Sequence, residues 1–164
     1  KRVVTQSTGL IPSFEFPVRS KSSFKKLKLA KSSIHNWGVF AMESITPGSI
    51  VIEYVGEKIR ESVADVRERN AEAKGIKDSY FFRFEDDLII DAAKSGNVSR
   101  FINHDCQPNC VSKIVTQDSI KKIFIVSKKR IAIDEEITFD YMFNEEEFKI
   151  PCHCGSKKCH GSLN

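Results

Sequence analysis

The chain has 164 residues, 40% of them apolar and 29% charged, with a formal net charge of +4. That length can bury one core but not two, and the composition is that of a soluble globular protein rather than a disordered or fibrous one. No apolar run approaches the roughly 20 residues needed to cross a bilayer and no signal-peptide pattern opens the chain, so no membrane association is expected.

Charge is distributed unevenly. Residues 1–31 carry eight Lys or Arg against Glu15 alone, a net of +7, whereas residues 32–164 hold 18 basic and 21 acidic groups, a net of −3. A basic arm suits contact with nucleic-acid phosphates, and a mildly acidic body suits a cationic partner. Residues 1–23 are rich in Ser, Thr and Pro without sustained periodicity and read as an extended flank. The start at Lys1 rather than Met fits a piece of something longer.

From residue 24 short strand signals follow one another. Residues 26–30 alternate, and 50–55 are β-branched and apolar after a turn at Thr46-Pro47-Gly48. Residues 62–73 read as the clearest helix, with Ser62 as N-cap and Gly75 as terminator. Strand signals resume at 80–84, 88–90, 113–116, 123–126 and 137–139, the last after the acidic turn Asp134-Glu135-Glu136. Many short strands, one clear helix and no strand–helix alternation predict a mainly β fold of several small sheets with few helices.

All five cysteines lie between Cys106 and Cys159. An odd, clustered set argues against a secreted disulfide framework and for a reducing compartment. Cys152-x-Cys154-x4-Cys159 offers three soft ligands in one loop, the donor type zinc prefers. Cys106, Cys110, His104, His153 and His160 are the candidates for a fourth. His153 and His160 each adjoin a ligand and converge poorly, which favours a thiolate from the 106–110 segment.

Asn103-His104-x-Cys106-x-Pro108-Asn109, paired with Glu136-Ile137-Thr138-Phe139-Asp140-Tyr141, resembles the signature of SET-domain lysine methyltransferases. Trp37-Gly38-Val39-Phe40 and Glu53-Tyr54-Val55-Gly56 resemble that family's first two motifs, and the cysteine tail its post-SET segment. Ser33 to Gly38, Val63 with Arg67 and Glu68, Ile90-Asp91-Ala92 and the ending Gly161-Ser162-Leu163-Asn164 are similar to the trithorax/COMPASS class. Phe16-Pro17-Val18-Arg19 faintly resembles the stretch before its SET domain.

The resemblance implies a pseudoknot-like threaded segment among the small sheets and a post-SET zinc loop. It divides the chain into a flank (1–23), a SET domain (24–143) and a post-SET segment (144–164). It implies methyl transfer from S-adenosylmethionine to a lysine of the histone H3 tail, most readily the fourth residue. A nuclear, chromatin-associated setting and COMPASS-type accessory subunits follow from the same likeness. Methylation of another histone or non-histone lysine is the alternative within the enzyme class. A SET-like interaction module without catalysis is the alternative outside it.

By the same resemblance Tyr141 is the catalytic tyrosine and Tyr54 acts beside it, lining the lysine channel. Trp37, Gly38, Tyr80, Asn103 and His104 bind the cofactor, with Arg100 nearby. Phe139 lines the channel and, lacking a hydroxyl, leaves room for di- and trimethylation. Cys106 joins Cys152, Cys154 and Cys159 around one structural zinc, leaving Cys110 spare. Asp105 stands where the family carries a small residue. Apart from the resemblance, the acidic runs Glu85-Asp86-Asp87 and Asp134-Glu135-Glu136 offer surface to a basic tail, although charge runs of this kind are more often solvated turns.

Overall fold

The computed structural model describes residues 2–6, 24–76, 78–117 and 120–164. Most of the basic flank, including Phe16-Pro17-Val18-Arg19, lies outside these.

The strands in chain order are β1 (Val3–Val4), β2 (Leu27–Lys31), β3 (Trp37–Ala41), β4 (Ile50–Tyr54) and β5 (Glu57–Arg60), which runs directly into helix α1 (Glu61–Ala73). Then come β6 (Phe81–Glu85), β7 (Leu88–Asp91), a one-turn helix α2 (Ala92–Ser95) and a 3-10 turn Val98–Phe101. The chain ends its regular structure with β8 (Asn103–His104), β9 (Cys110–Gln117), β10 (Ile120–Ser127) and β11 (Glu136–Phe139). Three small sheets result, ordered β1-β6-β7-β5, β4-β10-β9 and β2-β3-β11-β8. This is the mainly β architecture of several small sheets that the strand signals predicted, and no described helix is long and apolar enough to cross a membrane.

The β-branched runs form strands because each offers an inner face to a core, most of them to one main cluster flanked by two smaller ones. Val39, Val51, Phe82, Ile102, Ile125, Ile137 and Phe139 are almost wholly withdrawn from solvent in the main cluster. Each such side chain contributes about 1.5–3 kcal/mol of hydrophobic stabilisation. Helix α1 is different. Ala64 is its one buried residue, while Val63 and Val66 stay 41% and 47% exposed. Ion pairs rather than apolar burial hold it: Arg67 reaches Glu57 at 2.8 Å and the buried Asp91 at 2.6 Å, and Arg83 reaches Glu61 at 2.8 Å.

Ser62 does not cap this helix. The N-cap is Arg60, without a side-chain cap, because β5 feeds the helix with no intervening loop. The Glu61 amide instead donates to the Asp87 carbonyl at 3.3 Å. Gly75 ends the helix as expected, at φ +72°, where a side chain would be strained. Four strands lie outside the sequence's strand signals: β1, β5 and the two-residue β8, which are too short to show a period, and β3, whose run is interrupted at Gly38. Val3 and Val4 of the flank are buried and pair in parallel with Phe81 and Phe82.

Two chain crossings position the site. Strand β8 pairs in parallel with β11, Asn103 opposite Thr138 and His104 opposite Phe139. Beyond β11 the chain continues past Thr5, whose amide donates to the Tyr141 carbonyl at 2.9 Å.

Candidate functional site

A cleft of about 940 Å³ opens where β8, the segment after β11, the start of β3 and the C-terminal segment meet. Five of the expected cofactor and catalytic residues line it: Trp37, Tyr80, Asn103, His104 and Tyr141. Gly38, Tyr54 and Phe139 do not; they lie in the layer beneath. Arg100 lines the cleft too, and its guanidinium is centred 4.6 Å over the Phe101 ring and 5.4 Å over that of Tyr80. The same group donates to the Ala92 and Ala93 carbonyls at 3.1 and 2.8 Å.

Asn103 is buried, and its amide group faces three acceptors: Trp37 carbonyl at 2.9 Å, Glu136 Oε1 at 2.8 Å and His35 carbonyl at 3.3 Å. It therefore fixes the 35–37 loop that forms one wall. Gly38 is required for a related reason. A Cβ there would stand 2.2 Å from Glu136 Oε1 and 2.9 Å from Ser32 Cβ. The group that approaches this glycine so closely is the Glu136 carboxylate, so the missing side chain leaves room for that acid. Trp37 stays 42% exposed at the rim, with Lys31 Nζ 4.2 Å above its ring.

Tyr141 stands in an aromatic cluster. Its ring centroid is 5.2 Å from Phe139, 5.3 Å from Phe143 and 5.5 Å from His104. Its hydroxyl donates to the Ile102 carbonyl at 2.8 Å, and the buried Tyr54 hydroxyl donates to the Tyr80 carbonyl at 3.0 Å. Burial pushes both phenols well above their ordinary range, and the neighbouring Tyr141 raises Tyr54 further. Both hydroxyl protons are thus committed to backbone carbonyls. What each phenol oxygen has left to offer is lone pairs. A neutral phenol of this kind accepts hydrogen bonds and does not act as a strong base.

His104 links this cluster to the cysteines. Its Nδ1 accepts the Tyr141 backbone N–H at 3.2 Å, which assigns the ring proton to Nε2, 3.4 Å from Cys106 Sγ. Burial lowers the imidazole pKa and keeps this neutral tautomer. The sulfurs of Cys106, Cys152, Cys154 and Cys159 all lie within 4.8 Å of one another. Cys106 is 3.8 Å from Cys152 and 4.0 Å from Cys159. Thiolates about 2.3 Å from a tetrahedral zinc are separated by roughly 3.8 Å, so this donor set could hold such an ion. Cys110 is fully buried in the main core, and its thiol is pushed up by that burial.

The acidic runs lie outside the cleft. None of Glu85, Asp86, Asp87, Asp134, Glu135 or Glu136 lines the cleft. Glu85 pairs with Lys121, Asp87 with Arg60 and Asp134 with Lys28, while Glu135 and Glu136 accept from Asn109 and Asn103. The acids of the cleft are Glu68, Glu72, Asp78 and Glu146. Glu68 and Glu72, four apart on α1, share a helix face, a spacing from which they could have been found. The Arg2 amide donates to Glu68 at 2.9 Å, closing β1 against that face.

A family model described as SET domain matches residues 36–142. The histone-lysine N-methyltransferase SETD1B of Homo sapiens is 57% identical over 140 residues, covering 85% of this chain and 7% of that protein. Histone-lysine N-methyltransferase SETD1A of Homo sapiens is 56% identical, and SETD1 of Drosophila melanogaster 58%, each over 140 residues covering 85% of this chain and 8% of the relative. The chain thus spans less than a tenth of the length of the curated relatives it matches.

Proposed function

The chain belongs to the SET-domain family, and from that membership we propose that it is a protein-lysine N-methyltransferase acting on the histone H3 tail. Its target is the fourth-residue lysine and its products extend to trimethyllysine. The observation that carries this reading is Tyr141, a neutral phenol at the wall of the cleft with its proton turned to Ile102 and its lone pairs left over.

A lysine amine has a pKa near 10.4 and must shed its proton before it can attack. The aromatic surroundings of Tyr141, with Phe139 and Phe143, disfavour the ammonium form by desolvation. The Tyr141 oxygen accepts an amine N–H and so aims the nitrogen lone pair along the line of transfer. Tyr54, its own proton held by Tyr80, supports that orientation from below. Bound S-adenosylmethionine supplies the electrophilic methyl group. Trp37, Tyr80, Asn103 and His104 form its side of the cleft, with Gly38 letting Glu136 brace Asn103.

Cys106, Cys152, Cys154 and Cys159 hold one structural zinc, which ties the post-SET segment (144–164) to the SET domain (24–143). The acids Glu68, Glu72, Asp78 and Glu146 offer charge to a basic tail. Val63 and Val66, exposed on a helix with one buried residue, fit a need for COMPASS-type accessory subunits to steady α1. The basic flank (1–23) contacts nucleic acid, and the protein works on chromatin in the nucleus.

Radiolabelled methyl transfer to a panel of histone peptides, followed by mass spectrometry of the products, tests the proposal. Transfer to H3 confined to its fourth residue supports it. No cofactor affinity and no transfer, with accessory subunits present, replaces it with an interaction module.

A further inference from the structure

Asp105, the departure from the family's small residue, joins two parts of the site that are otherwise linked through Cys106. Its Oδ1 accepts the Gln107 amide at 2.7 Å and also the Ser156 hydroxyl. The Asp105 amide donates to the Phe139 carbonyl at 3.3 Å, so the residue is fixed on the β8 side by backbone bonds. Ser156 is equally fixed on the other side. It sits between Cys154 and Cys159, and its carbonyl accepts the Cys159 amide at 3.0 Å. Neither residue belongs to the four-sulfur cluster.

We propose that Asp105 and Ser156 form a metal-independent latch that docks the cysteine loop onto the Asn103–His104 segment, making both of them positioning residues for cofactor binding. The loop matters to the cleft because Cys152, His153 and Leu163 of the same segment line it. With the latch closed, those walls stand at a set distance from His104 and Tyr141 whether or not the thiolates hold an ion. With it open, the loop pivots on the sulfur cluster alone. A bond from a hydroxyl to a carboxylate is among the stronger kinds and is worth on the order of tenfold in an equilibrium when partly buried.

The proposal rests on the methyltransferase reading for its kinetic arm only. In the zinc-loaded protein, Ser156→Ala should speed metal release to excess chelator about fivefold and raise the KM for S-adenosylmethionine by a similar factor, with kcat within about twofold. Ser156→Thr keeps the donor and should leave both values near wild type, while Asp105→Asn keeps only an uncharged acceptor and should fall between wild type and Ser156→Ala. The double variant Asp105→Ala/Ser156→Ala should be no worse than the more affected single variant, because both remove one bond. Unchanged release from Ser156→Ala, or effects that multiply in the double variant, overturn the latch. A wild-type protein that transfers no methyl group would refute the activity, while the release rates would still decide the latch.

Discussion

The separation between Cys106 and Cys110 gives the sharpest test of how the C-terminal segment is held. A structural zinc contributes on the order of 10–16 kcal/mol in small domains, so removing one thiolate of four forfeits about 3 kcal/mol, roughly a hundredfold in affinity. Cys106→Ser should therefore lose its metal to a moderate chelator that leaves the wild-type protein loaded. It also removes the sulfur 3.4 Å from His104 Nε2, the far side of the ring that accepts the Tyr141 amide. Cofactor affinity should fall about tenfold in consequence. Cys110→Ser places a hydroxyl at a site with 0% exposure among apolar neighbours. That costs about 1–3 kcal/mol and lowers Tm by a few degrees, to about ten at most, with the metal retained. Metal content by elemental analysis, thermal melts and a cofactor titration on both variants read these outcomes. Equal metal loss from the two substitutions, or full retention in Cys106→Ser, refutes the assignment of the fourth ligand.

How much of this could be read from the sequence varied with the range of the interaction. Strands of four or more residues with a β-branched inner face, such as β4, β7, β10 and β11, declared themselves. Strands β1, β3, β5 and β8 did not, because stretches that are two residues long, mixed in polarity or interrupted by Gly38 carry no usable period, and their pairing reaches partners far along the chain. The cysteine spacing announced three converging sulfurs, but which residue completes the set depends on β8 and the C-terminal loop meeting in space. Charge was ambiguous for the same reason. A run of acids such as Asp134-Glu135-Glu136 looks like a surface for a cation, yet each is held by a partner that sequence proximity does not reveal: Lys28, Asn109 and Asn103. Glu136 in particular is a brace rather than a docking charge. Gly38 is legible only in that light, since the group that excludes its side chain lies about a hundred residues away in the chain.

That brace can be broken from either end. Gly38→Ala should displace Glu136 from Asn103 and Ser32, whose bonds to it are 2.8 and 3.0 Å, costing about 3 kcal/mol; a melt within about 2 °C of wild type would contradict the clash. Phe139→Tyr puts a hydroxyl into the buried cluster beside Tyr141, able to hold a water where further methyl groups would go; mass spectrometry should find products limited to monomethyl-lysine, and persistent trimethylation counts against the channel role. The buried phenols make a last prediction, about alkaline stability. Tyr54 and Tyr141 titrate above the ordinary value of 10.0 in the folded state, chiefly through burial. Above pH 10 the unfolded chain loses these protons while the folded one keeps them, so the folded state binds more protons and stability must fall as pH rises. Below pH 10 both states are protonated and the contribution is constant. Unfolding free energy measured in urea between pH 9 and 11.5 should therefore decline steeply at the upper end, and Tyr54→Phe should flatten that decline because Phe has no proton to lose. An equally steep decline in Tyr54→Phe would mean that the Tyr54 phenol ionises as readily folded as unfolded, and its bond to Tyr80 could not then hold the proton in place.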